Sequence, residues 1–406
     1  MQDGASAQMR QRDLSPWPNY AAAALGYRNY WYPVTWSRTI GKQPVVFTML
    51  GEPVMFRREN GKIYAFLDIC PHRGIPLSVG KQEFAGTWTC RYHGWTFDLE
   101  SGVLRAALTD GPDSPICGKV RVKTYPVEER AGLVWIWMGN GAPTVPVEED
   151  IPVEFLAPNA VIVGRSSERK GNWRYAAENG FDEGHAKYLH RYGALQTLFR
   201  AIPAWSMRKG GPVMDGPWLS RPPDYEGYQG DFPGLGVWPR EIPWWKRMPK
   251  RRGGPAGRTI ARPPGSVPRG TSIRLPALLC SNPGTRAGIH FEWYVPTDAH
   301  HHRYLQFLVV HGAPRTALAH HLRYWLRERW VFHVQFNGQD AWMVELMPES
   351  GPERLYRPDA SITGWRKLGQ QARGQERPEP VEPAQVLHED RVLAAQRRGA
   401  APQSPW

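Results

Sequence analysis

Two short segments of the chain each combine a cysteine with a histidine. Cys70 and His72 form a C-x-H pair, and Cys90 and His93 form a C-x-x-H pair after the intervening residues 73–89. Thiolate sulfur and imidazole nitrogen are both strong ligands for transition metals. Four such side chains on two neighbouring loops therefore predict a metal centre.

The ligand pattern distinguishes between two kinds of metal centre. A tetrahedral zinc ion accepts two cysteines and two histidines, but zinc sites usually group cysteine with cysteine and histidine with histidine. Here each segment supplies one of each kind. That arrangement is typical of a Rieske [2Fe–2S] cluster, in which one iron binds both cysteines and the other binds both histidines. The sequence therefore favours a Rieske cluster, with zinc as the alternative.

A second group of ligand-type side chains lies near residue 185. Asp182 and His185 are three residues apart, so they would share one face of the helix predicted over 172–188. His190 can join them only if that helix ends or bulges before it. Two imidazoles and one carboxylate form the facial triad of non-haem Fe(II) oxygenases, which leaves open positions for dioxygen and substrate.

The carboxylate of such a triad must come from further along the chain. Asp340 and Glu345 lie in a partly apolar stretch with a helical pattern. An unpaired carboxylate is costly there unless it binds a cation. Asp340 is the better candidate and Glu345 the runner-up, and the residues alone leave the two close.

The elements that would position these groups change along the chain. Short apolar or alternating runs broken by Gly, Pro and Asn predict a small antiparallel β domain over residues 31–155. Residues 156–370 mix predicted strands with helices, including a long helical pattern over 317–347, and form a predicted second domain. Residues 1–30 are predicted to be an arm with a short helix. Residues 371–406, poor in large apolar side chains, are predicted to be disordered.

The composition excludes several function classes. The 406 residues carry a formal net charge of +13, which suits an acidic partner, but no nucleic-acid-binding motif accompanies it. No run approaches the ~20 apolar residues of a membrane-spanning helix, and the N-terminus lacks the apolar core of a signal peptide. Four cysteines are too few for a disulfide scaffold. We therefore expect a cytoplasmic protein without a nucleic-acid or membrane partner.

With both metal motifs in this order, the chain resembles the terminal-oxygenase α subunits of the Rieske non-haem iron ring-hydroxylating oxygenases. The resemblance extends over roughly residues 25–370, and within the family it looks most like the homotrimeric, carbazole angular dioxygenase type. Outside the metal motifs, the segments that carry it are Leu25–Pro33, Val120–Arg130, Glu178–Asp182, Phe291–Pro296, Phe336–Trp342 and Trp365–Leu368.

The resemblance implies a role for each candidate residue. The Rieske cluster would be held by Cys70, His72, Cys90 and His93. The mononuclear iron would be held by His185, His190 and Asp340. Asp340 is thereby favoured over Glu345, and Asp182 would be the acid that links a cluster histidine of one subunit to an iron-ligand histidine of the next. The substrate pocket would be lined by Gly180, His290, Phe336 and Asn337.

The resemblance also implies a fold and a reaction. The fold class is α+β, with a small all-β Rieske domain followed by a helix-grip-like catalytic domain of antiparallel sheet and flanking helices. The reaction is dihydroxylation of an aromatic or heteroaromatic ring in a bicyclic or tricyclic substrate by O2 and ferredoxin-supplied electrons. A Rieske monooxygenase or an O- or N-demethylase with the same metals is the alternative.

The same family implies three partners. The chain has neither a GxGxxG motif nor a P-loop, so NADH or NADPH must be oxidised by a separate reductase that reduces the ferredoxin. Because small ferredoxins are commonly acidic, basic residues near the cluster loops are candidate contacts. These are Arg91, Lys119, Arg121 and Lys123. The third partner is the chain itself, because the resemblance implies a homotrimer without β subunits.

Overall fold

The structure is a computed structural model of the chain. It describes residues 12–182, 184–190, 193, 206–208, 210–221, 225–227, 231–232, 236–237, 264–282, 288–312 and 316–374. Residues 1–11 of the predicted arm and 375–406 of the predicted tail lie outside these ranges.

The first half of the described chain consists mainly of short strands. They are β1 (Trp31–Trp36), β2 (Val45–Met49), β3 (Glu52–Glu59), β4 (Lys62–Leu67), β5 (Thr87–Thr89), β6 (Trp95–Asp98), β7 (Leu104–Ala107), β8 (Val127–Arg130), β9 (Leu133–Trp137) and β10 (Ala160–Lys170). The strands of the second half are β11 (Ser206–Arg208), β12 (Val213–Asp215), β13 (Trp218–Arg221), β14 (Tyr225–Gly227), β15 (Asp231–Phe232), β16 (Gly236–Val237), β17 (Gly270–Arg274), β18 (Leu278–Asn282), β19 (Ile289–Pro296) and β20 (His301–His311).

The helices lie before, between and after these strands. They are α1 (Pro18–Ala22), α2 (Val153–Leu156), α3 (Trp173–Phe181), α4 (Gly184–Tyr188), α5 (Ala317–Arg323), a π-helical segment (Tyr324–Phe336), α6 (Asn337–Leu346) and α7 (Ala360–Gly369). In the described part of the chain, no helix is both long and apolar enough to cross a membrane.

The N-terminal β region contains three small antiparallel sheets. Their strand orders are β1-β9-β8, β2-β3-β4 and β5-β6-β7. The first cysteine–histidine segment follows β4, and the second joins β5 to β6. Both cysteines belong to a compact apolar cluster with Leu77, Phe97 and Leu104, so this core fixes the two loops relative to each other.

A large antiparallel sheet forms the second region, in the order β10-β20-β19-β18-β17-β13-β12. Side chains alternate between the faces of a strand. On β19 the apolar Phe291 and Trp293 therefore point away from the face that carries Glu292. Trp293 packs against Phe155 and against Trp135 of β9, at ring-centroid distances of 5.6 and 5.8 Å. The β region and the large sheet thus share one continuous core.

The architecture confirms the α+β prediction: small all-β sheets come first, and an antiparallel sheet with flanking helices follows. The domain boundary predicted after residue 155 falls inside α2, which contacts β10. The exact division of the chain at that point stays a prediction.

Candidate functional site

The two cysteine–histidine segments adopt the same turn. In each, the cysteine N–H donates to the carbonyl five residues later, at 2.8 Å. The glycine four residues after the cysteine donates back to the cysteine carbonyl, at 2.9 Å for Gly74 and 3.1 Å for Gly94. Both glycines have positive φ, +71° and +67°, a conformation that costs glycine little. These turns present Cys70 and Cys90 to each other as a matched pair.

The four side chains converge with the cysteines inside and the histidines outside. Cys70 and Cys90 are each 2 % exposed, whereas His72 is exposed and His93 is half-buried. The His72 ring lies 4.5 Å from that of His93 and stacks on Trp95 at 4.6 Å. This layering matches a cluster whose inner iron binds thiolates and whose outer iron binds imidazoles.

The thiols already sit among hydrogen-bond donors. The Cys70 thiol and the N–H groups of Tyr92 and His93 hold the pKa of Cys90 down at about 6. The same thiol contact, together with burial, raises the pKa of Cys70. Neither cysteine forms a disulfide. One thiolate is thus favoured before any metal binds, as a metal-ligating cysteine requires.

Two further observations fit a two-iron cluster. The His93 Nδ1 atom is buried and has no hydrogen-bond partner among the described residues. The ligands of a single ion lie close to one another. Among the described residues, the only group of three or more such side chains with all ligand atoms within 4.8 Å of one another is a different one, and the cysteine–histidine set does not form such a group. A cluster that spans two iron ions explains the wider spacing better than the zinc alternative.

The predicted ferredoxin contacts near these loops differ in their surroundings. Arg91, Lys119 and Arg121 are exposed. Lys123 instead binds the buried carboxylate of Glu52 at 2.6 Å. The positive charge of Lys123 is therefore balanced by Glu52 within the chain, which makes this lysine a poorer candidate contact for ferredoxin than the other three residues.

The helix predicted over 172–188 is interrupted at Asp182, so that prediction is wrong in one respect. Asp182 has extended backbone angles and ends α3. Its carboxylate accepts the N–H of Gly184 at 2.7 Å and of His185 at 3.0 Å, which caps the start of α4. The predicted contact between Asp182 and His185 still forms, because His185 Nδ1 lies 3.2 Å from Asp182 Oδ2.

Three ligand-type side chains meet beside this break. His185 Nε2 lies 3.2 Å from Asp340 Oδ1, and His190 Nε2 lies 3.1 Å from the same oxygen. Their ligand atoms all lie within 4.8 Å of one another. The predicted runner-up, Glu345, is elsewhere: it is about half exposed and pairs with Lys170 at 3.1 Å. The geometry therefore brings together His185, His190 and Asp340.

Both histidines turn the same ring nitrogen toward this meeting point. Each Nε2 faces Asp340, while each Nδ1 has an acceptor on its far side: Asp182 for His185, and Gln339 Oε1 at 2.7 Å for His190. An acceptor at Nδ1 holds the proton there and leaves the Nε2 lone pair for a metal. The sequence analysis missed Gln339, although its position beside Asp340 could have suggested such a role.

The electrostatics of the triad favour a cation. Burial opposes charge on both His185 and Asp340. Hydrogen bonds to Asp182 and Asp340 nevertheless raise the pKa of His185 to about 9. Hydrogen bonds from the two histidines hold the pKa of Asp340 well below its usual range. The Asp340 carboxylate therefore stays negatively charged, and together with the two imidazoles it provides a donor set suited to a divalent cation.

The predicted pocket residues lie around this triad. The Phe336 ring stacks on His190 at a centroid distance of 3.7 Å. Asn337 Nδ2 donates to Glu292 at 2.8 Å, and His290 Nδ1 lies 3.3 Å from the same carboxylate. A Cβ on Gly180 would stand 2.3 Å from the hydroxyl of Tyr294, so no side chain fits there. Sequence reasoning missed Glu292, the buried carboxylate that joins two of these residues.

Comparison with known proteins identifies a family for each of the two regions of the chain. The family described as Rieske [2Fe-2S] domain matches residues 30–126, and the family described as homotrimeric ring hydroxylase matches residues 137–198 and 249–375. The terminal oxygenase component of carbazole 1,9a-dioxygenase from Metapseudomonas resinovorans is 34% identical over 372 residues, which cover 87% of this chain and 92% of that protein. The chain belongs to the Rieske ring-hydroxylating oxygenases.

This Rieske oxygenase is also similar to other carbazole 1,9a-dioxygenase oxygenase components. The corresponding component from Sphingomonas sp. is 34% identical over 374 residues, or 89% of this chain and 96% of that protein. A solved fluorene-bound complex of carbazole 1,9a-dioxygenase oxygenase with ferredoxin, carrying one phenylalanine-to-tryptophan replacement, has a TM-score of 0.76 at 31% identity. It covers 89% of this chain and 96% of that chain. The protein is therefore an oxidoreductase whose cofactors are a Rieske cluster and a mononuclear iron, with O2 as co-substrate.

Proposed function

We propose that this protein is a terminal oxygenase component that uses ferredoxin-supplied electrons and O2 to dihydroxylate an aromatic or heteroaromatic ring. The observation that carries the proposal is the convergence of His185, His190 and Asp340 in a chain that also has the Rieske ligand set. The similarity to carbazole 1,9a-dioxygenase oxygenases, one of them solved with fluorene bound, supports a bicyclic or tricyclic substrate.

We assign the metal ligands by the donor sets that fit each group. The Rieske cluster would be held by Cys70, His72, Cys90 and His93. The iron would be held by His185, His190 and Asp340. When bound, the cluster supplies single electrons, and the iron supplies a site at which O2 is activated.

The surrounding side chains orient the ligands. Asp182 and Gln339 hold the Nδ1 protons of His185 and His190, so both Nε2 atoms stay available. Asp340 contributes the negative charge that offsets part of the cation's charge. Asn179 Nδ2 donates to Asp340 Oδ1 at 3.0 Å and fixes the orientation of this carboxylate.

Asp182 has a second proposed role, as the link between subunits. Within one chain it binds His185 through Oδ2, and its Oδ1 accepts the N–H of Gly184 but keeps a lone pair. The exposed His72 is a suitable donor from a neighbouring subunit. Such a contact requires subunits arranged head to tail in a closed ring. A homotrimer, the state that gives the matching family its description, provides that arrangement.

The electron supply completes the proposal. Ferredoxin is the immediate donor, as in the solved oxygenase–ferredoxin complexes, and a reductase that oxidises NADH or NADPH reduces it. The exposed Arg91, Lys119 and Arg121 would give the docking surface its positive charge. The cytoplasm is the proposed location, because the reduced nicotinamide is there.

Product mass after turnover in ¹⁸O₂ tests the reaction type. The purified protein, a ferredoxin and a reductase would be supplied with carbazole, dibenzofuran, naphthalene and methoxy- or N-methyl-aromatics. Two labelled oxygens in one product are the expected result. One labelled oxygen, or loss of a methyl group, would overturn dihydroxylation in favour of the monooxygenase or demethylase alternative.

A further inference from the structure

The wall of the site beside the triad is one face of β19. His290, Glu292 and Tyr294 alternate with the core side chains and so share this face. Glu292 accepts hydrogen bonds from Asn337 Nδ2 at 2.8 Å and from the Tyr294 hydroxyl at 2.5 Å. Asn337 begins the helix that carries Asp340, which places His290 on the side of the sheet that faces the triad.

The environment of His290 determines which ring nitrogen carries the proton. Burial lowers the pKa of His290, so the imidazole is neutral and holds one proton. Its Nδ1 lies 3.3 Å from Glu292 Oε1, and a buried carboxylate can only accept. The proton is therefore on Nδ1, and Nε2 presents a lone pair.

That lone pair has nothing to bind within the described part of the chain. His290 Nε2 is buried, and no hydrogen-bond donor reaches it there. The ring is held firmly, because it stacks on His333 at 4.9 Å and the Tyr324 hydroxyl fixes His333 at 2.9 Å. Burying an acceptor without a donor is unfavourable, and an apolar ring would fill the same space without that cost. An oriented, unsatisfied acceptor beside the triad is typical of a ligand-binding group.

We propose that His290 Nε2 accepts a hydrogen bond from the substrate and selects aromatic rings that carry an N–H or O–H donor. Aromatic hydrocarbons and ring ethers of the same shape leave the acceptor unsatisfied and bind more weakly. The inference rests on the proposed function in one respect, namely that the ligand is an aromatic compound held beside the triad. Within that class, the inference selects the aromatic compounds that carry a hydrogen-bond donor.

Three tricyclic ligands of nearly equal shape test the inference by binding alone. Carbazole bridges its rings with N–H, dibenzofuran with oxygen and fluorene with CH₂. Dissociation constants would be measured on the intact, metal-loaded protein by quenching of ligand fluorescence. Carbazole is expected to bind about tenfold more tightly than the other two. His290→Phe should remove most of that preference by weakening carbazole binding alone.

Two further variants separate recognition from packing. His290→Gln keeps an acceptor oxygen and should retain part of the preference for carbazole. Phe332→Leu changes an apolar neighbour, whose ring lies 6.2 Å from that of His290, and should affect all three ligands alike. The Rieske absorption spectrum and the iron content confirm that each variant is folded.

Either of two results would overturn the inference: equal affinity of the unmodified protein for the three ligands, or equal weakening of all three in His290→Phe. The proposed function fails separately, through the labelled-oxygen experiment. A protein that prefers carbazole in binding but inserts one oxygen keeps the role of His290 and loses dihydroxylation. A protein that dihydroxylates without donor preference keeps the function and loses this role.

Discussion

Asp182 and His185 are joined by two different hydrogen bonds. The carboxylate oxygen Oδ2 lies 3.0 Å from the His185 backbone nitrogen and 3.2 Å from the Nδ1 atom of its ring. The first bond starts helix α4, and the second sets the ring so that Nε2 faces Asp340. One side chain therefore controls both where the helix begins and which nitrogen the histidine offers to a metal.

Substitution of Asp182 should separate metal binding from turnover. Asp182→Ala removes none of the proposed ligands, so both metal centres should still form when iron is in excess, although loss of the His185 Nδ1 partner should weaken iron binding as in Gln339→Ala. Ferredoxin-dependent turnover per bound mononuclear iron is expected to fall by about 100-fold or more. Iron content, the Rieske electron paramagnetic resonance spectrum and turnover would be measured together. Asp182→Asn is the matched control for the lost helix cap, since its amide oxygen can still accept the N–H of Gly184. Normal turnover in Asp182→Ala would contradict the proposed link between subunits.

The triad assignment predicts a specific change in iron content. His185→Ala and Asp340→Asn should each lower bound iron from about three to about two atoms per chain, with the Rieske spectrum unchanged. Glu345→Gln is the control, because Glu345 pairs with Lys170 at the surface and should leave all the iron in place. Unchanged iron in His185→Ala would show that this histidine is not a ligand.

Gln339 should tune iron affinity without contacting the metal. Its Oε1 holds His190 Nδ1 at 2.7 Å, and loss of such a partner typically costs 10- to 100-fold in metal affinity. Gln339→Ala is therefore expected to weaken iron binding by about that factor in a competition titration with a chelator. Gln339→Glu restores an acceptor and should recover most of the affinity. If both variants bind iron like the unmodified protein, the orientation of His190 depends on other contacts.

The buried His302 predicts a loss of stability in mild acid. Burial lowers the pKa of His302 to about 4, whereas an unfolded chain titrates near 6.5. Between pH ~6.5 and pH ~4 this histidine is therefore protonated in the unfolded chain but neutral in the folded protein. The free energy of unfolding falls as the pH is lowered through this range. The difference between the folded and unfolded pKa values of His302 corresponds to a loss of roughly 3 kcal/mol in the free energy of unfolding.

The matched variant for this effect is His302→Asn, which keeps a donor for the carbonyl of Gly171. Denaturant unfolding of both proteins between pH 4 and pH 7.5 would isolate the contribution of the imidazole. The variant should lose less stability than the parent over this range. Parallel curves would show that His302 does not titrate on unfolding.

The Rieske ligands could be predicted from the sequence because the chemistry is local. Each cysteine–histidine pair lies in one turn that is closed by its own backbone hydrogen bonds. The number of residues between the cysteine and the histidine therefore nearly determines how the two side chains are placed. The helix break at Asp182 is also local, yet the prediction of one continuous helix missed it. Aspartate is a preferred residue at helix starts, so Asp182 could have indicated that a new helix begins after it.

The choice between Asp340 and Glu345 could not be made from the residues alone. Both lie on α6, and which side of that helix faces the sheet depends on the turn that precedes it. The preceding segment, Tyr324–Phe336, is π-helical, and its wider turn changes the direction of every later side chain. A helical periodicity of 3.6 residues cannot anticipate that rotation. The resemblance to a known family resolved the choice instead.

Residues that act through distant contacts were not predictable from the sequence. Glu292 joins His290 on its own strand to Asn337 on a later helix, and the pairing of His290 with His333 arises only when strand and helix pack. The pattern of β19 shows which side chains share a face. It does not show which helix covers them.

The claim that each iron draws on the cluster of a neighbouring subunit is tested most directly by mixing two inactive variants. Cys90→Ser lacks the cluster, and His185→Ala lacks the mononuclear iron. Random reassembly of equal amounts of the two variants makes about three quarters of the trimers mixed. In each mixed trimer, one of the three interfaces between subunits joins an intact cluster to an intact iron site. Ferredoxin-dependent turnover is therefore expected to recover to about a quarter of that of the unmodified protein. No recovery in trimers shown to be mixed would mean that each chain must supply both centres to the same site.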